Sequence, residues 1–185
     1  MRYLTFMFFI LFASFGCNSK AVPVFNGVAY SPNEILVANE KDSYEISLID
    51  PDGIVIPKET PLPLLWQHDQ KKIVGHCETV FIDGEKRLQV SGVISQYNEM
   101  SKELRESIDG LINSQKYGFK YQLSVGGVTA GQTNAFKEIP FRQKITFYGK
   151  EYEGPLLLIN KFVLREISIV PIGGSVETGI KIERK

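Results

Sequence analysis

The chain has 185 residues, enough for one domain with a single core or a small domain carrying a detachable end. Hydrophobic residues make up 43% and charged residues 23%, the balance of a folded protein rather than a disordered one. Its 21 basic and 21 acidic residues cancel, and no segment carries a basic stripe, so the electrostatic footprint of a nucleic-acid binder is missing.

Arg2 is followed by an apolar run from Tyr3 to Phe15, ending at Gly16-Cys17. The run is short for a bilayer span and has the length of a secretory h-region. Two readings of residues 1–20 stand level. In one they are a signal-like segment with Cys17 where bacterial lipoproteins are modified, although Ser14 and Phe15 depart from that pattern. In the other they are an apolar arm, or the product of a start codon placed upstream of the true domain. Membrane association stays open on these grounds, and the folded domain is expected over residues 21–185. With only Cys17 and Cys77, a disulfide framework is excluded.

Val22 to Val28 and Glu34 to Val37 are short apolar runs, and Tyr44 to Ile49 alternates with the period of a half-buried strand. Pro51-Asp52-Gly53 is a turn. Pro57, Pro61 and Pro63 make the next stretch extended and irregular, feeding Leu64-Leu65-Trp66 into position. Ile73 to Ile82 and Arg87 to Ile94 read as a hairpin through Asp83-Gly84-Glu85-Lys86, the Asp-Gly pair being a favoured tight-turn dipeptide. Met100, Leu104, Ile108, Leu111 and Ile112 recur at helical spacing, predicting a helix over Asn98 to Ser114 with Asn98 as N-cap. Strand character returns from Tyr117 to Val128. Thr129 to Pro140 reads as a polar loop. Ile145 to Tyr148, Leu156 to Ile159 and Val163 to Val170 are further strands, stopped by Pro171-Ile172-Gly173-Gly174. The pattern is β-rich α+β, or a β-barrel with a peripheral helix, and leaves room for a second short helix.

There are two histidines, His68 and His76. His68 follows a hydrophobic segment and neighbours Trp66, so it could be shielded and held in one orientation, as a general base requires; a surface turn histidine is the plainer reading. Ser124 stands at the end of a strand with Gly126 and Gly127 just beyond. Its hydroxyl could be exposed while N–H groups at Val125 and Gly126 converge as an oxyanion hole, although Ser-x-Gly-Gly also describes ordinary turns. Glu166 lies in an apolar strand next to Arg165, and alternation puts the two on opposite faces. Glu166 could orient an imidazole; on its own it reads more simply as an edge-strand carboxylate in water. His68, Asp69, His76, Cys77 and Glu78 are close in sequence but lack the spacing of a metal site, so no metal is assigned. No phosphate loop or dinucleotide fingerprint is present, and no cofactor is implied.

Three segments, in order, resemble the prohead (capsid maturation) serine protease family of tailed phages, whose fold is shared with herpesvirus assemblin. Pro63-Leu64-Leu65-Trp66-Gln67-His68-Asp69 with Gly75-His76 is similar to the family's histidine segment. The amphipathic helix leading into Leu123-Ser124-Val125-Gly126 is similar to its nucleophile strand. Leu164-Arg165-Glu166-Ile167-Ser168-Ile169-Val170-Pro171 is similar to its third segment. The similarity runs from about Phe25 to Lys181. Gly127 stands where the family often has an aromatic residue, and the polar stretch from Thr129 to Gly154 is uncharacteristic.

The resemblance implies an assemblin-like β-barrel with peripheral helices. It implies His68 as general base, Ser124 as nucleophile and Glu166 as third member. The implied activity is that of a serine endopeptidase cleaving phage scaffold and major capsid proteins, and itself, during prohead maturation. Self-association and a location in the host cytoplasm within the prohead go with it, and the signal-like N-terminus leaves export or lipidation open. Two other classes compete: an exported lipoprotein-type β-rich binding domain without enzymatic activity, and a prohead-type fold that has lost its activity and serves in scaffolding.

Overall fold

Runs of β-branched and aromatic residues broken by turns give a β-rich structure in which one helix covers part of the core. The computed structural model describes residues 22–32, 36–40, 43–58, 61–95, 99–129, 131, 134–171 and 177–184. The expected N-terminal segment, Cys17, the Asn98 cap and the Ile172-Gly173-Gly174 stop lie outside the described residues.

The chain begins with β1 (Pro23–Tyr30), followed by the antiparallel pair β2 (Leu36–Glu40) and β3 (Ser43–Ile49). Pro51-Asp52-Gly53 forms a single 3-10 turn, with Asp50 Oδ1 accepting from the Asp52 N–H at 3.1 Å, and opens into the two-residue β4 (Ile54–Val55). The proline-crowded stretch leads into a sheet strand, β5 (Pro63–Trp66), which takes up Leu64-Leu65-Trp66. Pro63 is its first residue, the position at which a missing N–H is tolerated.

β6 (Asp69–Ile82) starts four residues before the predicted hairpin strand and pairs with β7 (Leu88–Val93). Helix α1 (Lys102–Gln115) begins later than expected, with Ser101 rather than Asn98 as its N-cap: the Ser101 side chain accepts from the Leu104 N–H at 3.3 Å. A short hydroxyl side chain satisfying an orphan N–H is worth about 1 kcal/mol. Then come β8 (Gln122–Thr129), β9 (Phe136–Ile139), β10 (Lys144–Phe147) and β11 (Lys150–Glu153). β9 lies inside the stretch expected to be a loop, and β10 and β11 form a hairpin where a single strand was expected. β12 (Leu156–Ile159), β13 (Phe162–Val170) and an unforeseen β14 (Gly179–Arg184) complete the chain.

The main sheet runs β14, β1, β7, β6, β5, β13 in space. β5 and β4 pair in parallel with one edge of β13, and β8 pairs antiparallel along the other. The sheet curls until its ends approach: Ile180 of β14 donates its N–H to Tyr121 O at 3.3 Å, just ahead of β8. Among the described residues no ladder joins those ends into a closed barrel, and α1 is the single α-helix. A second sheet, β2-β3-β12-β9, and the separate two-stranded β10–β11 hairpin share a small core of Leu48, Ile139, Phe147, Tyr152 and Leu156.

The larger core gathers Phe25, Leu64, Val74, Leu88, Val90, Leu123, Leu164, Ile167 and Ile169 from the main sheet. Ile108 and Leu111 of α1 are fully buried in it, and Leu104 and Ile112 flank them. Helical spacing thus becomes one apolar stripe laid on the sheet. Packing of this kind, rather than intrinsic propensity, supplies most of a helix's stability.

Candidate active site

The β5–β6 connection pairs Trp66 with Asp69, which leaves Gln67-His68 as a two-residue turn. Both residues are left-handed, with φ of +55° and +57°, the hallmark of the type I′ hairpin turn normally filled by Asn-Gly. Non-glycine residues pay about 1–2 kcal/mol each in that region. Neighbouring β13 holds the turn in place. The Gln67 N–H donates to Ile169 O at 3.0 Å, and the His68 N–H donates to Ser168 Oγ at 3.1 Å.

β13 carries a bulge: Leu164 faces Gly127 of β8 and Glu166 faces Gly126, with Arg165 extra between them. Arg165 is exposed, while the Glu166 side chain keeps only 14% of its surface. The expectation of an edge-strand carboxylate in water is therefore corrected, because β13 is flanked on both sides. Glu166 Oε1 lies 2.6 Å from His68 Nδ1, and Glu166 Oε2 accepts from Ser168 Oγ at 2.7 Å. A carboxylate only accepts, so the hydrogen of this contact sits on His68 Nδ1, and in the neutral ring Nε2 then keeps its lone pair for proton transfer.

The His68 side chain retains 44% of its surface. It is the turn histidine of the plainer reading, and Glu166, not shielding by Trp66, orients its ring. Trp66 is turned into the core, 6.2 Å from the Tyr121 ring.

Leu123 and Val125 of β8 are buried, so alternation puts Ser124 and Gly126 on the opposite face. In the register with β13, Ser124 stands opposite Ser168 and Gly126 opposite Glu166. Residues directly opposite on one face have Cβ atoms about 4.5–5.5 Å apart. Ser124 therefore shares a face with Glu166 and Ser168, one strand across from the serine that holds the His68 backbone. Among the described residues no hydrogen bond joins Ser124 to His68.

Val125 and Gly126 lie within a strand, where successive N–H groups point to opposite edges. One is directed to the β13 side and the other to the outer edge of β8, so the two do not converge on a single point. Gly126 has a different structural consequence. A Cβ added there would stand 1.7 Å from Glu166 Oε1 and 2.5 Å from its Cδ.

Ser168 is the residue that sequence reasoning passed over. It is fully buried, and its hydroxyl touches both the Glu166 carboxylate and the His68 backbone. Its position two residues beyond Glu166 on the same strand was the available signal.

The other polar residues of this region go elsewhere. Asp69 Oδ1 accepts from the Lys71 N–H at 2.9 Å and its other oxygen pairs with Lys72; the backbone bond first, then the lysine, holds its carboxyl below the usual range. His76 Nδ1 lies 3.2 Å from Ser95 Oγ. Cys77 is buried, and burial first, then the nearby Glu166 charge, pushes its thiol up to about 12. Among the described residues no three of His, Cys, Asp or Glu converge as metal ligands, and no helix is long and apolar enough to cross a membrane.

No family model matches the chain, and no curated protein matches it. Solved structures of a protease from Kaposi's sarcoma-associated herpesvirus are similar to it. One, in complex with an allosteric inhibitor, is 13% identical with a TM-score of 0.49, covering 88% of this chain and 78% of that one. Another, in complex with a hexapeptide phosphonate inhibitor, is 15% identical with a TM-score of 0.47, covering 88% of this chain and 66% of that one.

Proposed function

We propose that this chain is a serine endopeptidase of the prohead type with an assemblin-like fold, in which Ser124 is the nucleophile, His68 the general base and Glu166 the group that orients the imidazole. The observation that carries the reading is the 2.6 Å contact between His68 Nδ1 and Glu166 Oε1, made on the face of β13 and β8 that also bears Ser124. A carboxylate on Nδ1 holds the ring in the tautomer whose Nε2 can take a proton. The three ordered sequence segments support the same residues.

In the proposed reaction the Ser124 hydroxyl gives its proton to His68 Nε2 as Oγ bonds to a peptide carbonyl carbon, and the carbonyl electron pair moves onto oxygen. One N–H of the Val125–Gly126 pair steadies that oxygen. The C–N bond then breaks, and the proton on Nε2 passes to the leaving amine. Water, activated by the same imidazole, hydrolyses the acyl-serine ester. The substrates proposed are phage scaffold and major capsid proteins, together with the chain itself. Self-association and action inside the assembling shell belong to the same reading, with residues 21–185 as the protease domain.

The test uses the full chain. Ser124→Ala should lower self-cleavage by roughly 10⁶-fold, the scale of loss when a triad nucleophile is removed, and should abolish labelling by a fluorophosphonate probe while circular dichroism stays unchanged. Undiminished cleavage overturns the assignment. Export is a separate proposal resting on Gly16-Cys17, and fatty-acid labelling in a bacterial host decides it: lipid on Cys17 supports it, and an unlabelled chain dismisses it.

A further inference from the structure

We infer that Gly126 and Ser168 are positioning residues that together select the His68 tautomer. The inference rests on the reading of His68 as the base and extends it to two residues outside the triad. Three directed contacts close a ring. The His68 backbone N–H can only donate, so Ser168 Oγ must accept from it at 3.1 Å. The Ser168 hydrogen is thereby turned to Glu166 Oε2, 2.7 Å away. Glu166 then offers its remaining oxygen to His68 Nδ1 at 2.6 Å. The backbone amide thus sets the direction of the Ser168 bond, the acceptor-only carboxylate sets that of the His68 bond, and the ring of contacts ends in a hydrogen on Nδ1 and a lone pair on Nε2 of the neutral imidazole.

Ser168 is suited to this because it is fully buried: no water competes for its hydroxyl, and an unmade bond there would be costly. Two residues of the strand act on two parts of the turn, since Ser168 holds the His68 backbone while Glu166 holds the ring.

Gly126 completes the arrangement by leaving space. It faces Glu166 in the strand register, and any Cβ would fall 1.7 Å from Oε1, the oxygen that meets His68, and 2.9 Å from Cγ. The obstructed group is the end of a side chain rather than backbone. A methyl at position 126 would therefore swing the carboxylate away without dismantling the sheet. Gly126 acts as the seat of the carboxylate.

The closing experiment reads the imidazole directly. Long-range ¹H–¹⁵N spectra of the full chain, at a pH where imidazoles are neutral, should show His68 as the Nδ1–H form, with a His76→Gln variant assigning the only other histidine. In Gly126→Ala and in Ser168→Ala the Nε2–H form should appear, and kcat on a peptide substrate should fall about 10²-fold, the cost of a small misplacement, with KM unchanged. Circular dichroism and thermal unfolding establish that each variant is folded, and the two alter different contacts, so either alone reads the effect. A His68 spectrum like the wild type's in a folded variant overturns the inference whatever happens to kcat. A shifted tautomer supports it even if the wild-type chain hydrolyses no peptide, an outcome that would remove the peptidase reading alone.

Discussion

At Glu166 the carboxylate has two hydrogen-bonding contacts and limited exposure, so its replacement tests geometry with little change in volume. Glu166→Gln keeps the shape but puts an amide N–H₂ where an acceptor is needed. The proposed mechanism predicts a fall of about 10²- to 10⁴-fold in kcat, the upper figure being the loss when a triad carboxylate becomes an amide. Peptide hydrolysis measured beside Arg165→Ala checks it, because Arg165 is exposed on the bulge and should be replaceable at little cost. Equal rates for wild type and Glu166→Gln would remove Glu166 from the mechanism. Asp69 adjoins His68 in sequence, but Lys71 and Lys72 take its carboxylate. Adjacency along the chain was a poorer guide here than a partner 98 residues away.

Among elements, the β6–β7 hairpin shows how a familiar dipeptide can be placed differently from its usual role. The Asp83 N–H donates to Arg87 O and the Lys86 N–H to Asp83 O, both at 3.0 Å. Lys86, not Gly84, is left-handed, with φ of +63°. The loop is thus the three-residue form with a bulge rather than the two-residue Asp-Gly turn. Asp83 organises it, accepting from the Glu85 and Arg87 N–H groups and from the Arg87 and Gln89 side chains. These bonds, the Arg87 N–H foremost and Gln89 next, pull its carboxyl down to about 2. A folded value below the ordinary one means that stability is present above about pH 4 and drains away as the pH falls toward 2. Asp83→Asn should therefore make the decline of urea-unfolding midpoints between those pH values shallower than in the wild type. Parallel declines would show that Asp83 does not contribute.

On the scale of the whole molecule, the two sheets are tied at Tyr30. This fully buried residue of β1 donates its hydroxyl to Ile49 O at 2.6 Å and accepts from the Ile49 N–H at 3.0 Å. It thereby joins the main sheet to β3 of the smaller one. Tyr30→Phe would leave both Ile49 groups without the hydroxyl, a loss of about 1–3 kcal/mol readable as a lowered Tm; an unchanged Tm would refute the tie. Burial, as the main cause, raises the Tyr30 hydroxyl well above its ordinary value. The neutral form is therefore favoured by folding, and its stabilisation is complete below about pH 10 and lost at higher pH. Tyr30→Phe should also lack that part of the alkaline decline.

The sequence by itself determined the β-rich class, the amphipathic helix and most strands, because period-2 and period-3.6 patterns are local consequences of which side chains must be buried. It also placed His68, Ser124 and Glu166 in three ordered segments. It missed β9, β11 and β14: in β9 only Ile139 and in β11 only Tyr152 is buried, and three of the six residues in β14 are exposed, so little hydrophobic pattern marks them. Tertiary structure alone decided that β13 lies between β5 and β8, that a bulge at Arg165 turns Glu166 toward His68, and that Ser168 joins them. It also decided that Gly126 faces the Glu166 carboxylate, at a place where a Cβ would collide with it. Partner choice and register depend on contacts between residues far apart in the chain, and a slip of one residue would send each of these side chains to the other face.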